Sequence, residues 1–252
     1  MYKKRFEQAV IFAGGRGERL RPLTDNIPKP MAPVLGRPFL DYLLKSLTDA
    51  GIERILILVG YCAKKIIVHY GDFLPDGTPV AYSVGSKDDQ TGRRLLNAYD
   101  TIEDRFLLLY GDNYWQPPLR DMVKNYDSLG LPVTTTVFSN KAGTGEYGFG
   151  NNVCVTLDKR VQAYDKTRQA KNLNGVDIGF FLVDKSVLDP SEEGNISFEE
   201  TILTRLVKKR RVGAFVTDEQ YYYITSIESL RNFEEVAKRQ QLAFMDHLKK
   251  NL

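Results

Sequence analysis

Three glycines and a group of cations follow the first apolar run of the chain, and together they could hold phosphate groups. The glycines are Gly14, Gly15 and Gly17, and the cations are Arg16, Arg19, Arg21 and Lys29. Glycine lets backbone N–H groups approach oxygen atoms that a Cβ would hold away. The cluster of cations suits a triphosphate or a departing pyrophosphate better than a tight turn with solvated charges, which is the structural alternative. The spacing matches neither the P-loop nor the Gly-x-Gly-x-x-Gly motif.

A carboxylate stands at the end of another apolar run. Asp112 follows Gly111, directly after the apolar residues 106–110. Mg²⁺ prefers oxygen ligands and is usually shared between one or two carboxylates and the phosphates of a substrate. Asp112 is therefore the candidate metal ligand, and a turn residue that ends a strand is the alternative.

The elements that must position these residues alternate between buried strands and helices. Strands are predicted over 8–13, 55–59, 80–84 and 106–110, a helix from Phe39 to a cap at Gly51, and a short helix over 95–99. This alternation predicts an α/β fold, with a Rossmann-like, mixed but mostly parallel sheet flanked by helices. In such sheets ligands bind just beyond the carboxyl ends of the strands, where the glycines and Asp112 both fall.

The second half of the chain changes character. After Pro132 short β-rich segments are predicted over 133–138, 153–157, 161–164 and 178–183, which indicates a small β-rich lobe continuous with the first sheet. A C-terminal helix is predicted over 226–252. Its apolar residues Phe233, Val236, Phe244 and Leu248 could pack on a second copy, so a homodimer is one hypothesis for the assembly.

Composition excludes several classes of protein. The chain has 252 residues, 42% hydrophobic and 27% charged, with a net charge of +3, which favours neither nucleic acid nor an anionic membrane as a partner. Cys62 and Cys154 form no paired spacing and indicate a reducing, cytoplasmic location. No apolar run approaches the ~18 residues of a membrane span.

The same residues carry a resemblance to a known family. Residues 9–24, 28–31 and 36–40 resemble the sugar-1-phosphate nucleotidylyltransferases, and most closely the mannose-1-phosphate and D-glycero-D-manno-heptose-1-phosphate guanylyltransferase branch. The resemblance implies the nucleotide-diphospho-sugar transferase fold and a reaction in which an NTP, with GTP favoured, and a sugar 1-phosphate give an NDP-sugar and pyrophosphate. It also implies Mg²⁺ as the cofactor, bound by Asp112.

The resemblance further implies a role for each site residue. The implied catalytic residues are Arg19, Lys29 and Asp112. The implied nucleotide-binding residues are Ala13, Gly14, Gly15, Gly17, Thr91 and Gly92. The implied sugar-phosphate-binding residues are Tyr147, Gly148, Lys166 and Asp177. In a single domain spanning 1–252, residues 1–131 would then mainly bind the nucleotide and residues 132–225 mainly the sugar.

Two segments depart from the family pattern. Residues 90–95 place Arg93 and Arg94 where relatives carry small residues against the base, so we expect looser packing on the nucleotide there. Tyr223 stands where the family has a second metal-binding aspartate, and a neutral phenol is a poor Mg²⁺ ligand. Either one protein carboxylate suffices, or an acid at 218, 219 or 228 substitutes, or activity has been lost.

Two other functions therefore stay open. One is a non-catalytic sensor that binds NDP-sugars, which Tyr223 and the two arginines favour and which Arg19, Lys29 and Asp112 oppose. The other is a nucleotide-sugar glycosyltransferase. Enzymes of that class use an Asp-x-Asp motif at a strand end, and Asp112 is followed by Asn113 and Tyr114, without the second acid.

Overall fold

The computed structural model describes residues 5–250, and the side chains of residues 5–239. The strands are β1 (Gln8–Ala13), β2 (Pro33–Val34), β3 (Arg37–Pro38), β4 (Arg54–Val59), β5 (Val80–Val84), β6 (Arg105–Tyr110), β7 (Asn113–Tyr114), β8 (Val133–Phe138), β9 (Val153–Val155), β10 (Val161–Tyr164), β11 (Val176–Asp184), β12 (Val212–Thr217) and β13 (Tyr222–Tyr223). The helices are α1 (Phe39–Asp49), α2 (Ala63–Tyr70), α3 (Thr91–Asn97), α4 (Leu119–Leu129), α5 (Thr204–Lys208) and α6 (Ile227–Lys250), with a π-helix at Phe198–Leu203 before α5.

A seven-stranded mixed sheet forms the centre of the molecule. Its spatial order is β12-β8-β11-β6-β1-β4-β5. β11 runs antiparallel to both of its neighbours, and the other pairs are parallel. The predicted mixed, mostly parallel sheet is thus confirmed. From the β-rich second half, β8, β11 and β12 join this same sheet, while β9 pairs with β10 and β13 pairs with β7 in two separate ribbons.

Alternation along the strands divides the core into two layers. In β6, Leu107 and Leu109 pack with apolar residues of α1, α2 and α4, while Phe106 and Leu108 pack with those of α3 and the π-helix. Successive side chains of a strand point to opposite faces, so a central strand covered on both sides must be apolar throughout. This is why the strands read as continuous apolar runs.

The C-terminal helix closes a third, smaller cluster. Phe233 is fully buried, with its ring centroid 4.9 Å from those of Phe39 and Tyr114. Phe233 therefore belongs to the core of its own chain and is not available to a second copy. Val236 is half-buried, and the side chains of Phe244 and Leu248 lie outside the described residues. The homodimer stays a prediction.

Two predicted elements are shortened or displaced in the structure, while the strands predicted over 55–59, 106–110 and 178–183 extend one or two residues further. The strand predicted over 153–157 ends at Val155, because the backbone turns where Lys159 adopts a φ of 58° and donates from its N–H to the Thr156 carbonyl. The helix predicted over 95–99 instead spans Thr91–Asn97, followed by a 3₁₀ turn at Tyr99–Thr101. Both shifts follow from local hydrogen bonds that apolar spacing does not reveal.

The sheet order places a crevice at the carboxyl ends of its central strands. From β1 the chain crosses to β4 and β5 on one side, then returns to β6 on the other side of β1. Phe12 is paired with Tyr110, so β1 and β6 end side by side. A reversal of this kind is the usual ligand position in open α/β sheets. Within the described part of the chain, no helix has the length and apolar character needed to cross a membrane.

Candidate functional site

A cavity of about 1000 Å³ opens at the carboxyl ends of β1 and β6. It is lined by every predicted site residue except Gly92 and Gly148. The nucleotide-side members are Ala13, Gly14, Gly15, Gly17, Arg19, Lys29, Thr91 and Asp112, and the sugar-side members are Tyr147, Lys166 and Asp177. One cavity therefore brings together residues separated by more than half of the chain.

The glycine turn after β1 forms one wall of this cavity. A Cβ added at Gly15 would meet no atom within 4 Å, so the backbone there is open to a ligand. Gly17 has a φ of 63°, and a Cβ there would lie 2.8 Å from Cβ of Lys29. Thr24 fixes the turn by donating from Oγ1 to the Gly17 carbonyl at 2.8 Å. The turn is held in a shape that only glycine allows at position 17.

Lys29 and Asp112 form the central ion pair of the site. Lys29 Nζ lies 2.6 Å from Asp112 Oδ2, and the two side chains are only 12% and 29% exposed. Lys29 begins a 3₁₀ turn after Pro28, and Asp112 occupies the turn between β6 and β7. The backbone beneath Asp112 is fixed by two hydrogen bonds, from Gly111 N to Phe12 O and from Ile224 N to Asp112 O. A cation and a carboxylate are thus held together beside the glycine turn.

Arg19 bridges to the second half of the chain. Its Nη1 lies 3.0 Å from Oε1 of Glu146 and 3.4 Å from Oη of Tyr147. The ring of Tyr147 is covered by the guanidinium of Arg168, at 4.1 Å from its centroid. Arg19 therefore has a carboxylate partner that an incoming phosphate would have to replace.

Lys166 lies beside two glutamates on another part of the wall. Its Nζ is 3.3 Å from Oε1 of Glu200 and 4.0 Å from Oε2 of Glu199. Glu199 is almost fully buried, and its Oε2 accepts hydrogen bonds from Thr91 Oγ1 at 2.8 Å and Ser197 Oγ at 2.5 Å. Burial raises the pKa of Glu199 above its ordinary value. The carboxylate of Glu199 therefore contacts two of the predicted site residues, Thr91 and Lys166.

Asp177 is held by three donors in the same cavity. Its Oδ1 accepts from Thr135 Oγ1 and from Gly179 N, both at 2.9 Å, and its Oδ2 accepts from Tyr164 Oη at 3.2 Å. Burial raises the pKa of Asp177 to about 6, against the opposing effect of these hydrogen bonds. This carboxyl group therefore changes charge near neutral pH.

The two predicted glycines outside the cavity lining have other surroundings. A Cβ at Gly92 would lie 2.8 Å from the Ile196 carbonyl, so Gly92 lets α3 pack closely on that segment. Gly148 has a φ of 58° and closes a turn with Gly145, and its carbonyl accepts from Asn140 Nδ2. The neighbouring Arg93 turns away from the cavity, where its guanidinium donates to the carbonyls of Glu192 and Gly194.

Tyr223 lies next to the turn that carries Asp112. It is paired with Asn113 in the β13–β7 ribbon, and burial followed by the charges of Glu146 and Glu228 raises its pKa above the ordinary value. Of the acids considered as substitutes, Asp218 is exposed and bound to Lys141 at 2.9 Å. Glu219 and Glu228 are also exposed, and none of the three lines the cavity.

The donor set fits a metal that takes most of its ligands from a substrate. Among the described residues, no group of three or more acidic, histidine or cysteine side chains could enclose an ion. Asp112 nevertheless offers a carboxylate at the cavity wall, and Mg²⁺ commonly uses one or two carboxylates together with phosphate oxygens and water. Asp112 would hold such an ion only together with a bound phosphate.

The sequence reasoning missed Glu146 and Glu199, and it treated Arg94 only as a departure from the family pattern, although all three line the cavity. Glu146 directly precedes Tyr147, and Glu199 follows Ser197 by two positions, so each stands close to a residue that could cap a turn or contact a ligand. An acid beside a candidate ligand-binding residue was a usable signal for Glu146. Burial of Glu199 and Arg94 had no such signal.

Comparison with known proteins identifies the family of the chain. Residues 8–230 match the family described as nucleotidyl transferase. UTP–glucose-1-phosphate uridylyltransferase AglF of Haloferax volcanii is 31% identical over 220 residues, covering 84% of this chain and 88% of that protein. D-glycero-alpha-D-manno-heptose 1-phosphate guanylyltransferase of Aneurinibacillus thermoaerophilus is 28% identical over 218 residues, covering 85% and 91%.

A solved structure agrees over most of its length. HddC from Yersinia pseudotuberculosis, complexed with GMP-PN, superposes with a TM-score of 0.74 at 25% identity, covering 91% of this chain and 99% of that one. The two similar enzymes above are sugar-1-phosphate nucleotidylyltransferases by name. With a family match that spans most of its residues, the chain belongs to the nucleotidyl transferase family.

Proposed function

We propose that the chain transfers a nucleotidyl group from an NTP to a sugar 1-phosphate, giving an NDP-sugar and pyrophosphate. The observation that carries the proposal is the Lys29–Asp112 pair beside the glycine turn, in a cavity that Lys166 also lines. Such a reaction asks the protein for positioning and charge neutralisation and for little covalent chemistry. Lys29 and Lys166 line the same cavity, with the carboxylate of Asp112 beside Lys29, and these charges would supply those needs.

On the nucleotide side, residues 1–131 would hold the triphosphate. The open backbone at Gly15 would donate N–H groups to phosphate oxygens, while Lys29 and Arg19 would bind the β- and γ-phosphates. Arg19 would exchange Glu146 for phosphate on binding. As negative charge grows on the leaving pyrophosphate, the ammonium of Lys29 becomes more strongly bound to it, and this differential interaction lowers the barrier.

On the sugar side, residues 132–225 would orient the attacking group. Lys166 would bind the sugar phosphate, with Tyr147 and Asp177 about the sugar. Gly148 would shape the turn that carries Tyr147. An oxygen of the sugar phosphate forms a bond to the α-phosphorus, and the bond from that phosphorus to the bridging oxygen of the β-phosphate breaks. The pyrophosphate leaves with the electron pair, and no group of the protein becomes covalently attached.

Members of this family typically use a divalent metal ion, and we propose Mg²⁺ with Asp112 as its protein ligand. When bound, the ion would neutralise charge on the phosphates. Asp112 is held ready for this by the hydrogen bonds of its backbone, and its present partner Lys29 is freed when the phosphates attract the ammonium. The ion pair would therefore separate on binding, with Lys29 moving to the phosphates and Asp112 to the metal ion.

GTP is the proposed donor, because one relative is named a guanylyltransferase and the superposed HddC structure holds GMP-PN. The test is pyrophosphate release from GTP, UTP, CTP, ATP and dTTP, each with a panel of sugar 1-phosphates. Release with GTP and one sugar 1-phosphate supports the proposal, while release only with UTP or CTP would correct the base and leave the reaction class intact.

A non-catalytic sensor of NDP-sugars is the second candidate, and Tyr223 favours it. Tyr223 stands beside Asn113 where a second carboxylate would help bind a metal. A sensor would bind an NDP-sugar without releasing pyrophosphate from any pair of substrates. Calorimetric binding of NDP-sugars, run beside the release assay, separates the two candidates.

A further inference from the structure

The guanidinium of Arg94 lies beneath the ends of three strands. Its Nη1 donates to the Val59 carbonyl at 3.1 Å, and its Nη2 donates to the carbonyls of Gly14 at 3.1 Å and Ser86 at 2.8 Å. These carbonyls stand at or just beyond the carboxyl ends of β4, β1 and β5. One side chain of α3 therefore ties together the glycine turn and the two loops next to it.

Two glycines make room for this guanidinium, and a third lies in ordinary contact distance of it. A Cβ at Gly14 would lie 2.1 Å from Arg94 Nη1, and a Cβ at Gly60 would lie 2.6 Å from the same atom. A Cβ at Gly85 would lie 3.4 Å from it. Contacts below 3.0 Å require a shift of one partner, so side chains at positions 14 and 60 are incompatible with Arg94 as placed. The loops at this edge and Arg94 thus fit one another.

The direct partners of the Arg94 guanidinium are all uncharged. Arg94 is 5% exposed, and none of the ion pairs among the described residues includes it, so its partners are neutral carbonyls. Burial lowers the pKa of Arg94, although the charge of Asp89 partly offsets this. Oδ2 of Asp89 instead accepts from Ser86 N and from Asn97 Nδ2. A buried cation that only neutral carbonyls contact directly favours an anion in the adjoining space.

That adjoining space is the candidate site, because Arg94 lines the cavity together with the glycine turn that it holds. An ordinary structural arginine would anchor α3 to the sheet without reaching the ligand. Arg93 is an example, since it also donates to two backbone carbonyls but lies outside the lining. The adjacent arginines of α3 therefore have different surroundings.

We propose that Arg94 is a positioning residue for the triphosphate, holding the Gly14 carbonyl so that the following backbone N–H groups face the phosphates and adding a fixed positive charge behind them. The proposal rests on the proposed function in that the triphosphate is taken as the ligand of the turn. Arg94 acts through the turn, and the phosphates need not touch its guanidinium.

The test compares Arg94→Gln and Arg94→Lys with the matched control Arg93→Gln. Binding of inorganic tripolyphosphate with Mg²⁺ is measured by calorimetry, independently of base and sugar, and kcat and KM for the NTP are measured by pyrophosphate release. We expect Arg94→Gln to weaken tripolyphosphate binding at least ten-fold and Arg93→Gln to leave it within two-fold. Arg94→Lys keeps the charge but cannot hold three carbonyls, so it should recover most of the binding while kcat stays at least ten-fold low.

The proposal would be overturned if Arg94→Gln and Arg94→Lys both fold and keep the tripolyphosphate affinity and kcat of the wild type. A lower melting temperature as the only change would indicate a structural role for Arg94. If Arg94→Gln does not fold, Arg94→Lys decides: a wild-type kcat overturns the proposal and a ten-fold loss supports it. Failure of the proposed function can be distinguished from failure of this proposal. A wild-type protein that releases no pyrophosphate, but whose tripolyphosphate binding depends on Arg94, would refute the enzyme and support the positioning role.

Discussion

The ammonium of Lys29 lies 2.6 Å from the carboxylate of Asp112, although 83 positions separate them in the chain. The pair joins the loop that follows β1 to the turn that follows β6, so it can form only when those strands lie side by side. Both side chains are mostly shielded from water, which strengthens the interaction between charges at this distance. The fold thus creates a paired cation and carboxylate at the edge of the cavity.

Replacing Lys29 by alanine should lower kcat by about 10²-fold or more and change KM for the NTP less, because the ammonium binds charge that grows on the leaving pyrophosphate. Lys29→Arg should not restore activity, since the stem is confined beside Gly17 and a guanidinium has a different shape. Lys45→Ala, which removes an exposed pair with Asp49 on α1, is the control and should have no effect. An increase in KM alone would mean that Lys29 only binds.

Glu146→Gln should tighten binding of the NTP by roughly 2- to 5-fold, because Arg19 would no longer have to leave a carboxylate, and an exposed pair is worth about 0.2–1 kcal/mol. Arg19→Ala should lower kcat in both backgrounds. Asp25→Asn removes the partner of the neighbouring Arg21 and serves as the control. Weaker binding in Glu146→Gln would show that this carboxylate itself takes part in binding, for example at the metal.

Tyr223→Asp should tighten Mg²⁺ binding in the absence of NTP, because it adds a carboxylate next to the turn of Asp112. Like charges placed together cost on the order of 1 kcal/mol when no metal is present, so the metal-free variant should also be less stable. Tyr223→Asn is the uncharged control. Unchanged metal affinity with and without NTP would mean that position 223 does not face the metal, and the second carboxylate would then be sought elsewhere.

The stability of the protein should fall with rising pH because of Asp177, whose pKa is about 6 in the folded state and about 3.9 when unfolded. The contribution of the Asp177 carboxyl to the free energy of unfolding is fully present below pH 4. It is lost as pH rises through 6, since ionisation of Asp177 is disfavoured in the folded chain. The free energy of unfolding of the wild type, minus that of Asp177→Asn, should fall by roughly 1–3 kcal/mol between pH 4 and pH 8.

Urea titrations at each pH measure this difference. Asp158→Asn is the control, because a hydrogen bond from Thr156 lowers the pKa of Asp158. The contribution of Asp158 is lost only below about pH 4, so its difference should stay nearly constant between pH 4 and pH 8. A difference for Asp177→Asn that does not change with pH would show that Asp177 is ionised throughout this range, contrary to its surroundings in the folded chain.

Much of the fold and of the site could be predicted because both depend on local features. Buried strands such as β6 can be recognised in the sequence because a strand covered on both faces must be apolar. The carboxyl ends of such strands then indicate where the cavity lies. The glycine turn can be recognised in the sequence because only glycine permits its geometry. Each of these two patterns, the apolar run and the glycine turn, is contained in a short stretch of sequence.

Contacts between distant side chains could not be predicted in this way. Arg19 and Glu146 are 127 positions apart, and Arg94 binds carbonyls from three separate loops, so only the assembled sheet brings them together. Gly92 and Gly148 were predicted from the resemblance, yet their surroundings are decided by the backbone of Ile196 and by a local turn. Sequence patterns report local geometry and say little about which exposed charges meet.

The most direct test of the account is pyrophosphate release by the wild type and by Asp112→Asn, across the NTPs and sugar 1-phosphates in Mg²⁺. Asp158→Asn is the control for loss of an acid away from the cavity. We expect release of pyrophosphate with equal formation of NDP-sugar only when both substrates are present. Asp112→Asn should abolish this release while the protein stays folded, and Asp158→Asn should retain it. No release by the wild type from any pair, or undiminished release by Asp112→Asn, would contradict the account.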